Sequence, residues 1–366
     1  MKVVQVQTQA EAGGAQRTSQ HVAEGLLARG HSVTTVYLYR KTAAYDDDAT
    51  AAFMLPEAPH SPVDLATAVV RLCRFVRKAQ PDAMILYQHY GNIAGTIAAK
   101  FAGCRRVVAN QNGLPGGVGI PDWATAVDRM IGSAGWYGAN VVKSGLVADA
   151  FRDYPRRYRD ALVRISHGVL VPQPRISKAE ARQRLGVPEG VPLVVSSGRL
   201  APQKNQMKLV EALPALGEAH LAIAGQGPLR EDLLRRAAEL GVPTRLHLAG
   251  EVSPHEIADF LVAGDVYAFP SVWETFGQSV VEGAMMGLPV ACSDLPVFRE
   301  VLRVAEPDGE YAAVFFDNSD PRAVAASISS VLNDASLAGA LSRAGRLLRA
   351  QYSVSALVDE YERLIQ

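Results

Sequence analysis

The sequence predicts an α/β protein of two doubly wound domains, each on a parallel sheet, and three observations lead there. Short apolar runs of strand length alternate with segments of helical periodicity. The alternation halts at a proline-bearing stretch near residues 170–176 and then starts afresh. The 366 residues also exceed what one compact core usually holds. The expected domains are residues 1–170 and 171–350, with 351–366 as a closing helix.

Apolar residues make up 48% of the chain, ample for two cores. The 37 basic and 37 acidic side chains cancel, but the first 170 residues hold 19 basic against 13 acidic ones, so the first half is the basic half. Cys73, Cys104 and Cys292 are too far apart for a disulfide framework or a zinc ribbon, which fits a reducing cytosol. The opening MKVVQVQTQ reads as a strand, and no segment approaches the length of a membrane span. A cytoplasmic protein is expected, either soluble or peripheral to the inner face of the membrane.

Val3 to Val6 form the first strand. Gly13 and Gly14 turn into a helix marked by Val22, Leu26 and Leu27, which Gly30 ends before the strand Val33 to Leu38. Helical periodicity over Val63 to Arg77, a strand at Ala83 to Tyr87, a helix at Ile93 to Phe101 and a strand at Arg106 to Ala109 continue the pattern. Asp46, Asp47 and Asp48 lie in a polar loop and read as a solvated turn; no metal site is expected. Polar residues follow two strands, Gln88 to Asn92 after one and Asn110 to Gly113 after the next. Since ligands of open α/β sheets bind at carboxyl ends of strands, His89, Asn110 and Asn112 are candidates to position a sugar or other hydroxylated acceptor; satisfying loop backbone is the alternative. Ala139 to Lys143 reads as a strand before a Ser144 helix cap. The arginines 152, 156, 157, 159 and 164, interleaved with Tyr154 and Tyr158, suit phosphates of a lipid-linked acceptor or an anionic membrane surface, or a plain solvated face. No recognised nucleic-acid module accompanies them.

In the second half Pro192 to Ser197 is a buried-type strand followed by Gly198, Arg199, Leu200, Lys204 and Asn205. Two cations at a strand end can neutralise a diphosphate. Leu221 to Ala224 leads into the turn Gly225, Gln226, Gly227, Pro228 and then a helix with Leu229, Leu233 and Leu234. Val242 to Gly250 is the next strand, after which Ser253, Pro254 and Glu256 read as a capping box for a helix over 256–262. The strand Val266 to Phe269 then passes through a short loop bearing Glu274 into an apolar helix that starts near Gly277 or Gln278. A carboxylate in such a helix is expensive without a partner, and Glu282 has no basic residue within one turn. Gln278 and Ser279 share its helical face, turned back toward Glu274. A strand, a loop and a helix N-terminus make an anion site, and the simplest ligand carries phosphate and hydroxyls. Helices over 321–332, 337–348 and 354–365 complete the chain.

Glu274 and Glu282, with seven residues between them, TFG after the first and GLPVACSD beyond, resemble the E-x7-E signature of retaining nucleotide-sugar glycosyltransferases, most closely glycosyltransferase family 4. G-R-L-x-x-x-K-N from Gly198, G-x-G-P from Gly225 and GGA-x-R from Gly13 resemble motifs of the same family. The resemblance implies the GT-B arrangement, two Rossmann-like domains facing a central cleft, with the donor in the second domain and the acceptor in the first, and the last helix crossing back. It implies that Arg199 and Lys204 stabilise a departing diphosphate, that Glu274 and the amides of Thr275, Phe276 and Gly277 orient the sugar, and that Glu282 holds the ribose. Gly14, Gly198, Gly225, Gly227, Val252, Gln278 and Ser279 would complete the donor site. The implied reaction retains anomeric configuration and uses no metal and no cofactor beyond the nucleotide sugar, a UDP-sugar on family frequency. Its partners would be that donor, a hydroxylated acceptor of which a lipid-linked one is an example, and, through the basic half, a membrane surface. Two departures stand out: Asn112 replaces the histidine that family members usually carry before this glycine, which leaves a role needing an imidazole in doubt, and His167 and Leu170 replace the ends of the usual asparagine-glycine-valine-aspartate turn. A sugar-nucleotide 2-epimerase and a catalytically silent sugar-binding protein remain alternatives. A dinucleotide oxidoreductase is disfavoured by the absence of G-x-G-x-x-G and of an acidic residue at Tyr37 to Arg40.

Overall fold

Strands buried on both faces form the centre of each half. In the computed structural model Ala83–Tyr87, Leu193–Ser197, His220–Ala224 and Val266–Phe269 are inaccessible along their whole length, which is why they read as continuous apolar runs rather than alternating ones. The structure describes residues 1–11, 14–42, 45–117, 120–171, 173–253, 256–305 and 309–366, so Gly13 and Pro254 lie outside the described residues.

The first compact unit comprises Met1–Gly168 and Ser353–Gln366. Its elements are β1 (Lys2–Ala10), α1 (Gly14–Ala28), β2 (Ser32–Arg40), β3 (Ala51–Leu55), α2 (Pro62–Ala79), β4 (Ala83–Tyr87), α3 (His89–Ala102), β5 (Arg106–Gln111), α4 (Asp122–Ser133), β6 (Ala139–Val142), α5 (Gly145–Asp149), α6 (Arg156–Asp160) and β7 (Leu162–Arg164). The strands pair in parallel in the order β3-β2-β1-β4-β5-β6-β7. The second unit, Val169–Tyr352, holds α7 (Lys178–Leu185), β8 (Leu193–Ser197), α8 (Met207–Ala212), β9 (His220–Ala224), α9 (Arg230–Glu239), β10 (Leu246–Gly250), α10 (Ile257–Leu261), β11 (Val266–Phe269), α11 (Gln278–Met286), β12 (Val290–Ser293), α12 (Pro296–Val301), β13 (Ala313–Phe316), α13 (Pro321–Asn333) and α14 (Ala335–Gln351). Its parallel order is β10-β9-β8-β11-β12-β13. The last helix, α15 (Val354–Ile365), belongs to the first unit, where Leu357, Val358, Tyr361 and Ile365 share a core with Val22 and Leu26 of α1.

Several expectations change. β3, α4, α12 and β13 were not evident from pattern: β3 is a five-residue edge strand, and α4 exposes apolar side chains that blur its amphipathic signature. β5 extends to Gln111, and α3 starts at His89, so Asn110 lies inside a strand and His89 inside a helix rather than in loops. Ser253 is not a cap. Its Oγ donates to Glu256 Oε2 at 2.7 Å while Glu256 N donates to Ser253 O, so α10 begins one residue later without a side-chain cap.

At the end of β6, Lys143 is enclosed between the sheet and α15, donating to Tyr361 Oη at 2.8 Å and Asn110 Oδ1 at 3.2 Å. Burial pushes its pKa down to about 7. Between pH 7 and the unfolded value near 10.4 the folded chain therefore binds fewer protons than the unfolded one at this site, and stability rises with pH across that window. We expect the stability difference between the natural chain and Lys143→Met, measured by urea unfolding from pH 7.5 to 9.5, to grow in favour of the natural chain by about 1 kcal/mol per pH unit. A flat difference would show that Lys143 keeps its proton in the folded state.

Candidate functional site

In the second sheet the strand order reverses between β8 and β11. Loops leaving those two strands diverge, and the crevice they leave is where open α/β sheets bind ligands. Gly198 to Asn205 follow β8, and Ser271 to Gly277 follow β11, so the two sequence motifs meet at that reversal. Val272 N donates to Gln203 O at 2.8 Å, and Gln203 Nε2 donates to Trp273 O at 3.1 Å. Lys204 Nζ forms an ion pair with Glu274 Oε1, which also accepts from Ser271 Oγ at 3.1 Å. The ammonium lies 5.0 Å from the centre of the Phe269 ring. Arg199 is exposed and, among the described residues, unpaired.

The loop after β9 is seated on the loop after β8. Leu200 N donates to Gln226 O at 2.8 Å and Leu229 N donates to Leu200 O at 3.1 Å. A Cβ on Gly225 would lie 2.0 Å from Gly198 O, and one on Gly227 2.3 Å from Leu200 O. These two glycines thus meet backbone, which explains them without a ligand. Gly198, at φ +141°, lies over the Lys204 stem. Val252 is half-buried two residues beyond Gly250, whose carbonyl accepts from Gly225 N.

α11 starts at Gly277, whose φ of +81° suits glycine, and no side chain caps it. Its first turn holds no acidic residue, so its free N–H groups and positive dipole end remain suited to an anion. Thr275, Gln278 and Ser279 are half-buried around this end, while Glu282 is buried one turn further in. The Phe276 ring is buried edge-on against Tyr352 at 5.3 Å, which leaves its backbone as the part that can face a ligand. Beneath the two glutamates Tyr267 shares a 2.7 Å hydrogen bond with Ser197 Oγ. Burial, then the Glu282 and Glu274 charges, push its phenol above the usual range and keep it protonated.

Sequence reasoning missed the residues that hold these loops together. Asn318, after β13, donates to Ser271 O at 2.9 Å and Ser293 Oγ at 3.1 Å, and its carbonyl accepts from Asn205 Nδ2 at 3.1 Å. Gln206, fully buried, donates to the carbonyls of Gly198 and Arg199. Polar side chains just beyond a strand end were the available signal.

The first unit reverses its strand order between β1 and β4. Gly14 opens α1 there, next to the undescribed Gly13. Of the three acceptor candidates, Asn110 is fully buried and spent on protein: it donates to Leu86 O at 3.0 Å and accepts from Lys143 and Tyr361. Asn112 Oδ1 accepts from Gln88 N at 3.0 Å. The backbone-satisfying alternative therefore describes both. His89 keeps a buried Nε2 that has no hydrogen-bond partner among the described residues. Among the described residues no three His, Cys, Asp or Glu side chains gather as a metal-ligand cluster.

The family model described as a glycosyl transferase 4-like domain matches residues 13–198, a little over half of the chain, and that described as glycosyl transferases group 1 matches residues 177–348. A lipopolysaccharide core biosynthesis glycosyltransferase of Rhizobium meliloti is 31% identical over 185 residues, 50% of this chain and 52% of its own length. A GDP-mannose-dependent phosphatidylinositol monomannoside mannosyltransferase of Mycolicibacterium smegmatis is 30% identical over 269 residues, 68% of this chain and 66% of its own. The chain thus spans about half the length of the first relative. Anabaena HepE, solved with UDP and glucose, superposes with a TM-score of 0.84 at 17% identity, covering 99% of this chain and 98% of that one. Sucrose-phosphate synthase of Thermosynechococcus elongatus does so at 0.81 and 20%, with the same coverage. At these identities the likeness is one of fold.

The seating of the β9 loop is testable. Gly225→Ala drives a Cβ into the Gly198 carbonyl, and we expect a loss of about 2–4 kcal/mol in urea unfolding. Gly241→Ala, at φ +71° with open space around it, carries only the left-handed backbone penalty of about 1 kcal/mol. Equal losses would mean that close backbone approach is not what Gly225 provides.

Proposed function

The chain belongs to the glycosyltransferase 4-like family and has the GT-B fold, and from that premise we propose that it is a retaining hexosyltransferase moving a sugar from a nucleoside-diphosphate donor to an acceptor hydroxyl. One observation carries the reading: two cations, two carboxylates and the open N-terminus of α11 lie together at the strand reversal of the second sheet. In this reading Arg199 and Lys204 neutralise the diphosphate as the glycosidic carbon–oxygen bond breaks, and Glu274 with the 275–277 amides orients the sugar. Glu282 accepts from ribose hydroxyls. The departing phosphate oxygen takes the proton of the acceptor hydroxyl as that oxygen bonds the anomeric carbon on the same face, so no step passes through a metal. The Lys204–Glu274 pair is then the resting form of the site: donor binding gives the ammonium a phosphate and leaves Glu274 for sugar hydroxyls.

A UDP-sugar is favoured, supported by the neighbour solved with UDP and glucose, while the mannosyltransferase relatives named for GDP-mannose make GDP the competitor. A glycan or lipid-linked acceptor is supported by the names of relatives, one for lipopolysaccharide core biosynthesis and one for a phosphatidylinositol monomannoside. In this reading His89, half-buried at the start of α3, positions the acceptor hydroxyl.

A thermal-shift panel of UDP, GDP, ADP, their sugar conjugates and NAD is the direct test, since a ligand of the folded state raises the apparent Tm with concentration. We expect a shift with one nucleotide series, lost in Glu282→Ala; a shift with NAD alone would refute the reading. Lys204→Ala should lower kcat by about 10²-fold or more. It should unfold within about 2 kcal/mol of the natural chain, because Ser271 still bonds Glu274. Turnover at the natural rate in that variant would end the assignment of Lys204 to the diphosphate.

A further inference from the structure

Lys178 and Arg182 of α7 share one carboxylate just ahead of β11. Lys178 Nζ pairs with Asp265 Oδ1 and Arg182 Nη2 with Asp265 Oδ2, each at 2.6 Å, and Leu193 N donates to the same Oδ2 at 2.7 Å. Arg182 also donates from Nε to Ala263 O at 2.9 Å and from Nη1 to Val191 O at 3.0 Å, so it ties the approach to β8 to the approach to β11. Beside β12, Ser342 Oγ donates to Gly287 O at 2.6 Å and Arg349 Nε to Met285 O at 2.7 Å, which seats α14 on the end of α11. All these groups except Ser342, Met285 and Ala263 line a cavity of about 700 Å³, a size that suits a small molecule.

The cavity is distinct from the donor crevice. Arg199, Lys204 and Glu274 follow the carboxyl ends of β8 and β11, whereas Val191, Asp265 and Gly287 precede the amino ends of β8, β11 and β12. In a parallel sheet those are opposite edges, separated here by a five-residue strand, about 16 Å. Val262, Met286, Leu288, Val331 and Leu332 give the cavity an aliphatic wall, and its charged groups are Lys178, Arg182, Arg349 and Asp265. Three cations against one carboxylate leave two positive charges in surplus. Asp334, next in sequence to the lining residue Ala335, is spent on capping α14 through Ser336 N and Leu337 N. The Lys178 side chain is 47% exposed, so parting it from Asp265 costs little, and Arg182 with Leu193 N keeps that carboxylate satisfied. Arg349 is exposed and has no carboxylate partner among the described residues.

We propose that this cavity is a second ligand site, for a small phosphate monoester with an apolar body. A phosphate monoester carries roughly −1.5 to −2 charges at pH 7, which matches the surplus, where a carboxylate supplies half of it. Arg349 and Lys178, the latter released from Asp265, meet the phosphate oxygens in charge-assisted bonds, and the apolar body lies on the aliphatic wall. Binding here is independent of the transferase reading, because none of these residues belongs to the donor crevice.

The test is titration calorimetry of phenyl phosphate, inorganic phosphate, benzoate and benzyl alcohol into the full chain carrying Arg199→Ala and Lys204→Ala, so that the donor cations cannot hold the phosphate. We expect phenyl phosphate to bind this chain, with inorganic phosphate and benzoate weaker by about tenfold or more and benzyl alcohol without measurable heat. Adding Lys178→Ala and Arg349→Ala should weaken phenyl phosphate by about tenfold or more. Adding Ala335→Phe instead, at an exposed position that lines the cavity, should fill it and abolish binding. In the otherwise natural chain, Lys178→Ala with Arg349→Ala and Ala335→Phe should each keep the circular dichroism and the nucleotide-induced Tm shift, which separates this site from the donor site. Absence of phenyl phosphate binding up to about 10 mM would overturn the proposal. So would equal binding of benzyl alcohol, or phenyl phosphate binding that neither the paired cation changes nor Ala335→Phe reduces.

Discussion

The geometry of the second unit depends on how two loops that leave neighbouring strands are tied together. Where strand order reverses between β8 and β11, the loops that leave the two strands diverge, and the backbone joins them through Val272 N to Gln203 O at 2.8 Å. Side chains supply the other ties: Gln203 to Trp273, Lys204 to Glu274, and Asn318 reaching Ser271 and Ser293 while holding Asn205. Those bonds hold the loops, and on the proposed function the ion pair is the part a ligand exchanges. A lysine and a glutamate with side-chain exposures of 20% and 11% are desolvated enough to attract each other strongly and accessible enough to part when a phosphate arrives.

Backbone packing supports the same crevice from below. The β9 turn approaches Gly198 and Leu200 so closely that only glycine fits at 225 and 227. This packing bears on motif reading, because glycines beside a nucleotide site are readily credited to ligand approach. Here the contact they permit is with the next loop, and their influence on a ligand passes through the position of Gly198, Arg199 and Lys204.

Much of this was legible in the sequence because it is local. Apolar runs such as Leu193 to Val195 and Val266 to Phe269 have few alternatives to buried parallel strands, and Arg199, Lys204 and Glu274 in the loops after strands and Glu282 in an apolar helix are polar residues that need a reason. What was not legible is what depends on neighbours distant in sequence. Asn110 and Asn112 looked like a ligand-facing pair, yet one binds Leu86 O, Lys143 and Tyr361 and the other binds Gln88 N. An amide at a strand end satisfies whichever partner tertiary structure brings, and sequence does not say whether that is a turn or a ligand. The helix α4 was missed because it exposes Trp123 and Met130 and buries Asp128, against the usual pattern, and β3 because a short edge strand after a polar loop carries little periodic signal.

The first sheet places its own reversal between β1 and β4, and there the chain stores strain rather than charge. Gln88 caps α3 at φ +63° and ψ +162°, a region that side chains other than glycine's avoid at a penalty of about 1–3 kcal/mol. Three bonds hold it: Thr8 N to Gln88 Oε1 at 3.0 Å, Gln88 N to Asn112 Oδ1 at 3.0 Å and, one turn on, Gly91 N to Thr8 Oγ1 at 3.0 Å. Such a conformation persists only where surroundings overdetermine it, and its effect is to set the first turn of α3, and His89 with it, against the carboxyl end of the sheet. The residues that follow β4 are uncharged polar groups and a histidine, whereas those that follow β8 include two cations. On the proposed function, a site for a dianionic donor and a site for an acceptor hydroxyl need that difference, and the same topological rule, applied twice in one chain, offers a place for each.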